Sequence, residues 1–235
     1  MILTISENIQ PKDTTFTFDK DESRHLIKVL RKKEGDLIYV TDGKGNLYTT
    51  SIVVANDKKC NVLVEQVTYK NKNRPYYLHI AIAPTKLNDR YEWFLEKAVE
   101  IGIDEITPII CANSERKVIK TERMKKIIHA AVKQSLQCYV PKLNDAIPLE
   151  QFLTQQTATQ KFIAHCEDEE QKQYLHKTAT PNQDVLVLIG PEGDFSSAEI
   201  QKAKTQNYTP ITLGQNRLRT ETAGVYISTL MTTLV

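Results

Sequence analysis

A charged loop near the C-terminal end has the residue types best suited to chemistry. It runs over Leu213–Thr222, where Arg217 and Arg219 flank Leu218 and Glu221 follows. Guanidinium groups bind anions through paired donors, and a neighbouring carboxylate is a candidate general base. The loop therefore predicts anion recognition beside a possible base. A helix cap with a surface ion pair is the alternative interpretation.

A second loop combines glycines with a proline. It reads Ile-Gly-Pro-Glu-Gly-Asp-Phe over residues 189–195. Gly190 and Gly193 would let the backbone approach a ligand closely, and Pro191 would stiffen the turn between them. The loop matches neither a GxGxxG fingerprint nor a P-loop, since no Gly-Lys-Ser/Thr follows it. It predicts a site for a nucleotide-sized ligand, with a plain strand-to-helix turn as the alternative.

Alternating strands and helices place these loops at one edge of a sheet. The predicted strands are Leu78–Ala83, Glu105–Ile110, Lys161–Cys166, Asp184–Ile189 and Thr209–Leu213. The predicted helices are Asp89–Ile101, Thr121–Gln137, Ser196–Asn207 and Thr220–Leu234. This alternation predicts a parallel sheet covered by helices, whose ligands bind at the carboxyl ends of the strands. Ala164-His165-Cys166 ends a strand as well, and we expect His165 to be a wall residue.

Particular residues define the ends and faces of these helices. Gly102 is a stop signal for the helix over Asp89–Ile101, and Trp93 lies at a spacing that predicts a core position. Ser196 and Glu199 have the spacing of a capping box.

Residues 1 to about 72 have a different, β-rich pattern. Short apolar runs over Leu37–Val40, Leu47–Val54 and Asn61–Val67 predict strands, and Asp42–Asn46 predicts a hairpin turn. Within this region, Ser23–Lys33 predicts a short amphipathic helix with Leu26, Val29 and Leu30 on its apolar face. The polar stretch Tyr69–Pro75 predicts a domain boundary, which gives domains 1–72 and 73–235.

Composition narrows the class of protein. The chain has 235 residues, 40% of them apolar, and a net charge of +2. We find no apolar run long enough to cross a membrane and no signal-peptide pattern, so we expect a cytoplasmic protein. Four cysteines lie far apart, at Cys60, Cys111, Cys138 and Cys166, which predicts free thiols and no metal site.

Positive charge is concentrated in two stretches. The first stretch contains Arg24, Lys28, Arg31, Lys32 and Lys33. The second contains Arg116, Lys117, Lys120, Arg123, Lys125, Lys126 and Lys133, opposed only by Glu122. Clustered cations in a near-neutral chain favour contact with a polyanion such as RNA. Solvated helix faces are the alternative.

These motifs, in this order, resemble the RsmE family of ribosomal RNA small-subunit methyltransferases in the SPOUT superfamily. The resemblance rests on the stretches 25–31 (HLIKVLR), 42–45 (DGKG), 189–195 (IGPEGDF) and 213–223, which contains LRTETA. It also includes Lys86, Glu92-Trp93, Lys97, Glu100-Ile101-Gly102, Pro108 and Ser114-Glu115-Arg116. The sequence departs from the family where Gln137 replaces a frequent arginine, and its first residues lack the usual Arg-Phe-Phe type of start.

The resemblance implies a fold and a reaction. The fold is α/β: an N-terminal PUA-like β-barrel followed by a SPOUT trefoil-knot domain. The reaction is S-adenosylmethionine-dependent methylation of uracil N3, at position 1498 of 16S rRNA in the 30S subunit. The resemblance also implies a homodimer, and the last helix has an apolar face wider than one core stripe needs. This face contains Val225, Ile227, Leu230, Met231, Leu234 and Val235.

The resemblance also gives roles to residues. Arg219 is the candidate that stabilises negative charge on the uracil, and Glu221 is the candidate base, with positioning of Arg219 as its alternative role. The residues expected to line the cofactor are His165, Ile189, Gly190, Glu192, Gly193, Leu213, Gly214, Leu218 and Thr220. Those expected to contact RNA are Arg24, His25, Lys28, Arg31, Arg116, Lys117 and Arg123.

Three other functions are alternatives to this one. Another SPOUT enzyme, such as a ribose 2′-O-methyltransferase, would place the methyl group on a different atom. A catalytically dead RNA-binding adaptor would not bind the cofactor. A nucleotide-binding dehydrogenase requires a glycine-rich fingerprint after an early strand, and the stretch 81–85 contains none.

Overall fold

The computed structural model describes residues 1–72, 74–167 and 172–234. They form two compact units. Unit 1 comprises Met1–Lys72 together with Val132–Val140, and unit 2 comprises Asn73–Ala131 and Pro141–Val235. Asn73, in the predicted boundary, and Val235, in the predicted apolar face, lie outside the described residues. The short segment Val132–Val140, far along the chain, was not predicted to pack with the first 72 residues.

Unit 1 is a curled five-stranded sheet. Its strands are β1 (Leu3–Ile5), β2 (Thr15–Thr17), β3 (Leu37–Thr41), β4 (Asn46–Val54) and β5 (Asn61–Tyr69), in the order β1-β3-β4-β5-β2. All pairs are antiparallel except β1 with β3, which is parallel. Alternate side chains point inward, so Ile38, Val40, Tyr48, Ile52 and Val62 fill one core. This is the PUA-like domain expected from the sequence.

The prediction of one amphipathic α-helix over Ser23–Lys33 is wrong, because two different helical segments cover this region. A short helix, α1 (Lys20–Arg24), begins at Asp19, whose carboxylate accepts the Glu22 N–H at 2.8 Å. A π-helical turn over residues 25–29 follows it. In this wider turn the Leu30 N–H binds the His25 carbonyl, so the chain advances less around the axis per residue. Leu26 is therefore buried, whereas Val29 is 64% exposed and does not share its face.

Unit 2 is built on a parallel sheet. Its strands are β6 (Leu78–Ile82), β7 (Glu105–Ile110), β8 (Lys142–Leu143), β9 (Ile147–Pro148), β10 (Gln160–Ala164), β11 (Gln173–Tyr174), β12 (Val185–Ile189) and β13 (Thr209–Thr212). The sheet order is β11-β13-β10-β12-β6-β7-β8, and β9 also pairs with β7. The helices after β6 are α2 (Asn88–Ile101), α3 (Thr121–Gln134), α4 (Leu149–Leu153), α5 (Leu175–Thr178), α6 (Ser197–Thr205) and α7 (Thr220–Thr233).

Helices cover both faces of this sheet. Every residue of β6 and β12 is buried, as expected for central strands of a parallel sheet. On one face, Phe152 of α4 and Ile200 of α6 pack with Leu186 and Leu188. On the other face, α2 and α7 lie together, and Gly224 of α7 is in contact with the Phe94 ring. A Cβ at Gly224 would overlap that ring, so glycine permits the close approach of the two helices.

The chain crosses back over the sheet after its last long strand. β13 pairs with β10 on one side of β12, but α7 packs against β6 and α2 beyond it. The connecting stretch 213–219 therefore passes over the carboxyl ends of β10 and β12. Thr220 Oγ1 fixes this passage by donating a hydrogen bond to the Gly190 carbonyl at 3.0 Å. The SPOUT arrangement expected from the sequence is confirmed.

Several local predictions agree with the structure and two do not. Gly102 ends α2 at φ 122°, and Ser196 with Glu199 forms the capping box of α6. Trp93, predicted to lie in the core, is 43% exposed, because Phe94 and Leu95 take the inward positions of α2. The helix predicted to reach Gln137 ends at Gln134. Among the described residues, no helix has the length and apolar character required to cross a membrane.

Candidate cofactor and substrate site

A cleft of about 920 Å³ lies at the carboxyl ends of β10, β12 and β13. Three loops of unit 2 surround it, over residues 164–166, 189–194 and 211–220, together with Lys172 and Ala223. This is the edge at which parallel sheets bind ligands. All nine residues predicted to line the cofactor lie around this cleft: His165, Ile189, Gly190, Glu192, Gly193, Leu213, Gly214, Leu218 and Thr220.

Asp194 ties two of these loops together. Its backbone has φ 61°, in the left-handed region that residues other than glycine rarely adopt. In this conformation its Oδ2 accepts the Cys166 N–H at 2.6 Å and its Oδ1 accepts the Phe195 N–H at 2.8 Å. The carboxylate thus joins the end of β10 to the loop after β12.

Asn113 extends this network to the loop after β7. Its Nδ2 donates to the carbonyls of Gly193 and Asp194, each at 3.1 Å. The Glu199 carboxylate accepts the neighbouring Ala112 N–H at 2.8 Å. The side chains of Asp194, Asn113 and Glu199 consequently tie together the loops that follow β7, β10 and β12, and such preorganisation favours ligand binding.

The cleft glycines differ in what surrounds their Cα atoms. A Cβ at Gly190 would lie 3.1 Å from the Phe195 ring, and one at Gly193 would lie 3.2 Å from Asn113 Cβ. Both glycines therefore permit the protein to pack against itself. Gly214 has φ 153°, and a Cβ there would have no atom within 4 Å. Gly214 is the cleft glycine next to open space.

Charged side chains on the cleft wall have partners within the protein. Glu192 Oε1 accepts the Lys86 N–H at 2.9 Å. Lys172 Nζ donates to the His165 carbonyl at 3.0 Å and also to that of Glu167. His165 itself lines the cleft and is buried. Burial and the Asp194 carboxylate raise the pKa of the Cys166 thiol, and nearby Arg217 opposes this shift.

The two predicted catalytic residues lie in different places. Arg219 lines the cleft, is exposed and occupies the N-cap position of α7 without capping it through its side chain. Glu221 is only 6% exposed and is not among the cleft-lining residues. Its Oε1 lies 3.8 Å from Nε of Arg90 on α2. The geometry therefore joins Glu221 to the contact between α2 and α7 and leaves Arg219 at the cleft.

The predicted RNA contacts of unit 1 are accessible. Arg24, His25, Lys28 and Arg31 are all exposed, on α1, the π-helical turn and the residues after it. Lys28 Nζ lies 3.6 Å from an Asp57 oxygen, an ion pair between two well-solvated side chains. Such a pair is weak enough to exchange with a phosphate.

Two of the three predicted RNA contacts of unit 2 have partners within the protein. Arg116 donates to the carbonyls of Thr85 and Lys86, at distances between 2.6 and 3.2 Å. Arg123 forms a two-pronged ion pair with Glu92, with N–O distances of 2.6 and 2.9 Å. Lys117 is exposed. Sequence spacing identified the cations but not the carbonyl and carboxylate groups that contact them.

Comparisons with known proteins agree with this geometry. The family model of an RNA methyltransferase domain matches residues 72–232, and that of an RNA methyltransferase PUA domain matches residues 18–65. A ribosomal RNA small subunit methyltransferase E of Mesomycoplasma hyopneumoniae is 32% identical, and the match covers 94% of this chain and 96% of that protein.

Solved structures are similar over nearly the whole chain. A probable rRNA-methyltransferase from Porphyromonas gingivalis has a TM-score of 0.91 and 38% identity, covering 100% of this chain and 98% of the other. A putative methyltransferase from Legionella pneumophila, in complex with its bound cofactor S-adenosylmethionine, has a TM-score of 0.87 and 27% identity, covering 99% and 96%.

The fold and the cleft define the class of protein: an RNA methyltransferase with a PUA domain and a SPOUT domain. Within that class, the chain belongs to the ribosomal RNA small subunit methyltransferase E family.

Proposed function

We propose that this protein transfers the methyl group of S-adenosylmethionine to N3 of one uridine of 16S rRNA in the small ribosomal subunit. One observation carries the proposal: a single cleft gathers all nine expected cofactor residues with Arg219 beside them, in a chain of this family. Uracil N3 and the particular uridine follow from the family resemblance. A ribosomal substrate also supports the expected cytoplasmic location.

The cleft suits the proposed cofactor. Its volume of about 920 Å³ lies in the range of small-molecule sites. Ile189, Leu213 and Leu218 supply apolar wall for an adenine ring, and the open space beside Gly214 admits a ligand close to the backbone. Backbone groups at the strand ends and the charged side chains of the cleft wall suit the polar groups of S-adenosylmethionine. When bound, S-adenosylmethionine supplies a methyl group already activated by the positive sulfur.

Arg219 is the residue that we propose acts on the uracil. Uracil N3 is a weak nucleophile until its proton leaves, and the negative charge then spreads over O2 and O4. A guanidinium at the cleft can donate to O2 or O4 and so stabilise this charge while leaving N3 free to attack the methyl carbon. The base must first leave any stack or pair, since N3 is otherwise covered. Glu221 contacts Arg90 and not Arg219, so its position supports neither proton removal in the cleft nor positioning of Arg219, and we propose that it is structural. The N3 proton then passes to solvent or to the RNA.

The decisive experiment maps modified nucleosides in ribosomal RNA from cells with and without this gene. We expect N3-methyluridine at one site of 16S rRNA, lost on deletion and restored by the gene. A methyl group on the ribose instead would show a 2′-O-methyltransferase. Unchanged rRNA, together with no calorimetric binding of S-adenosylmethionine, would show a dead adaptor.

We also propose that two copies of the chain associate through α2 and α7. These helices pack together, and each has an aromatic side chain in solvent, with Trp93 43% and Tyr226 39% exposed. Ile227 and Met231 are buried within their own chain, so the apolar face of α7 is narrower than the sequence indicated. Sedimentation should give the mass of a dimer at micromolar concentration for the wild type, and a smaller mass for Trp93→Asp.

A further inference from the structure

An exposed aromatic and basic surface in unit 1 has no role in the proposed methyl transfer. It lies where the hairpin turn between β3 and β4 meets the segment after α3. We call it the tyrosine platform, and it consists of Tyr69, Tyr139, Lys44, Lys70 and Lys72. Tyr69 is 59% exposed at the end of β5, whereas Tyr139 is half-buried.

Hydrogen bonds hold the platform in place. The Cys138 carbonyl accepts the Thr41 hydroxyl at 3.0 Å and the Gly45 N–H at 2.9 Å. The Val140 N–H then binds the Gly43 carbonyl at 2.9 Å. Tyr139 is thereby fixed on the hairpin, with its backbone in a β-bridge to Lys44.

The two tyrosines fit each other and the turn closely. The Tyr139 hydroxyl donates to the Tyr69 hydroxyl at 3.0 Å. Gly45 lies against both phenols with φ 107°, and a Cβ there would overlap the Tyr139 hydroxyl and lie 2.8 Å from Tyr69 Cε2. The Tyr69 ring is therefore held at its hydroxyl by Tyr139 and along one edge by Gly45, so little conformational freedom is lost when a ligand stacks on it.

The charge around the platform is positive. Lys72 Nζ lies 4.9 Å from the centroid of the Tyr139 ring, and Lys44 and Lys70 are exposed on adjoining backbone. The nearby carboxylate of Asp42 is buried and accepts the N–H groups of Lys44 and Asn46 within the turn. Burial and the neighbouring Tyr69 raise the pKa of Tyr139 to about 12, so this phenol adds no negative charge at physiological pH.

We propose that the tyrosine platform binds a single-stranded segment of RNA, with one base stacked on Tyr69 and the flanking phosphates bound by the lysines. An exposed aromatic ring surrounded by cations is the usual means of holding unpaired nucleotides, because every base offers a face for stacking. A duplex hides those faces and would gain only the phosphate contacts. The proposal rests on the proposed function, because it takes RNA as the substrate. It adds an RNA contact surface that is separate from both the cleft and the Arg24–Arg31 region.

The test compares Tyr69→Ala with Tyr69→Phe. The probe is a labelled mixed-sequence single-stranded RNA, alone or annealed to its complement. We expect Tyr69→Ala to weaken binding of the single strand by about 5- to 100-fold, the scale of one lost stack. Tyr69→Phe keeps the ring and should bind within about twofold of wild type. The duplex should bind almost equally to all three proteins, and Lys72→Ala should lower the salt slope for the single strand by about 0.7.

Two results would overturn the proposal. One is wild-type binding of the single strand by Tyr69→Ala. The other is equal losses for Tyr69→Ala and Tyr69→Phe, which would assign the effect to the hydroxyl pair instead of to stacking. Methyl transfer to small subunits by the wild type, measured in parallel, separates the two proposals. If the wild type transfers the methyl group normally but Tyr69→Ala binds RNA like the wild type, only the tyrosine platform is refuted. If the platform variants weaken RNA binding as expected but the wild type shows no methyl transfer, only the proposed reaction is refuted.

Discussion

The carboxylate of Asp194 accepts the backbone N–H of Cys166, with 2.6 Å between Oδ2 and the amide nitrogen. The two residues are 28 positions apart and lie on different loops of the cleft. Because Asp194 also binds the Phe195 N–H, it fixes both walls through one side chain. Asp194 lines the cleft but acts through its neighbours, and we class it as a positioning residue.

Asp194→Asn should weaken the binding of S-adenosylmethionine. The amide can keep only one of the two accepted hydrogen bonds, and bonds to a charged group contribute about 1.5–3 kcal/mol each. We therefore expect at least a tenfold rise in the calorimetric Kd. Asp184→Asn is the matched control. Asp184 directly precedes β12 and its carboxylate also accepts a backbone N–H, that of Tyr77, but it lies at the opposite edge of the sheet from the cleft. Equal losses in the two variants would indicate general destabilisation.

Arg219→Ala should slow methyl transfer far more than it weakens cofactor binding. Loss of one donor to a developing anion costs roughly 10²–10³ in rate. Arg219→Lys should recover only part of this, since an ammonium group cannot donate in two parallel directions. Single-turnover transfer to small ribosomal subunits measures the step, and Arg217→Ala controls for a lost positive charge on the same loop. A near wild-type rate would remove Arg219 from the mechanism.

Glu221→Gln should affect stability and not chemistry. Glu221 is buried beside Arg90 and does not line the cleft, so the single-turnover rate should stay within about twofold of wild type across the pH range. The free energy of unfolding should fall by about 1 kcal/mol. Arg90→Gln should give a similar loss, and the double variant should lose less than the sum. If the rate fell and its pH dependence changed, Glu221 would be the base after all.

Arg24→Ala combined with Arg31→Ala should weaken RNA binding without changing cofactor binding. Each lost phosphate contact lowers the slope of log K against log salt by about 0.7–0.9. Arg123→Ala is the matched control, because its guanidinium is already paired with Glu92 and should contribute little to that slope. Fluorescence titrations at several salt concentrations give both quantities. A salt slope that stayed at the wild-type value would show that Arg24 and Arg31 are solvent-exposed residues that do not contact RNA.

The sequence predicted the long elements well because their patterns are local. Apolar runs, Gly102 and the Ser196–Glu199 box each report on backbone within one turn or strand. The short elements between residues 142 and 178, such as α4 and α5, have too few residues to produce a periodic signal. The return of Val132–Val140 to the hairpin depends on hydrogen bonds between distant residues, such as Thr41 and Cys138, which no local pattern encodes.

The site was predicted in its composition but not in its internal contacts. The loops were found from residue types, and the structure gathers them around one cleft. The partners of the charged groups were not predictable, because Arg116, Arg123 and Glu221 meet carbonyls or side chains 30 to 131 residues away. Asp194 and Asn113 were missed for the same reason. The signal available for Asp194 was its place directly after the Gly-Pro-Glu-Gly turn, because Asp tolerates a left-handed backbone better than most residues.

The order of the cleft loops along the chain has a consequence for the newly synthesised protein. The first wall ends β10, the second follows β12, and the third crosses over both only after residue 212. While the ribosome is still making this protein, the emerged part therefore has no complete cleft, and Thr220 has not yet closed the crossing. A nascent chain cannot take up the methyl donor, so a polypeptide cut short before this crossing should be inert and should not compete with the finished enzyme for it.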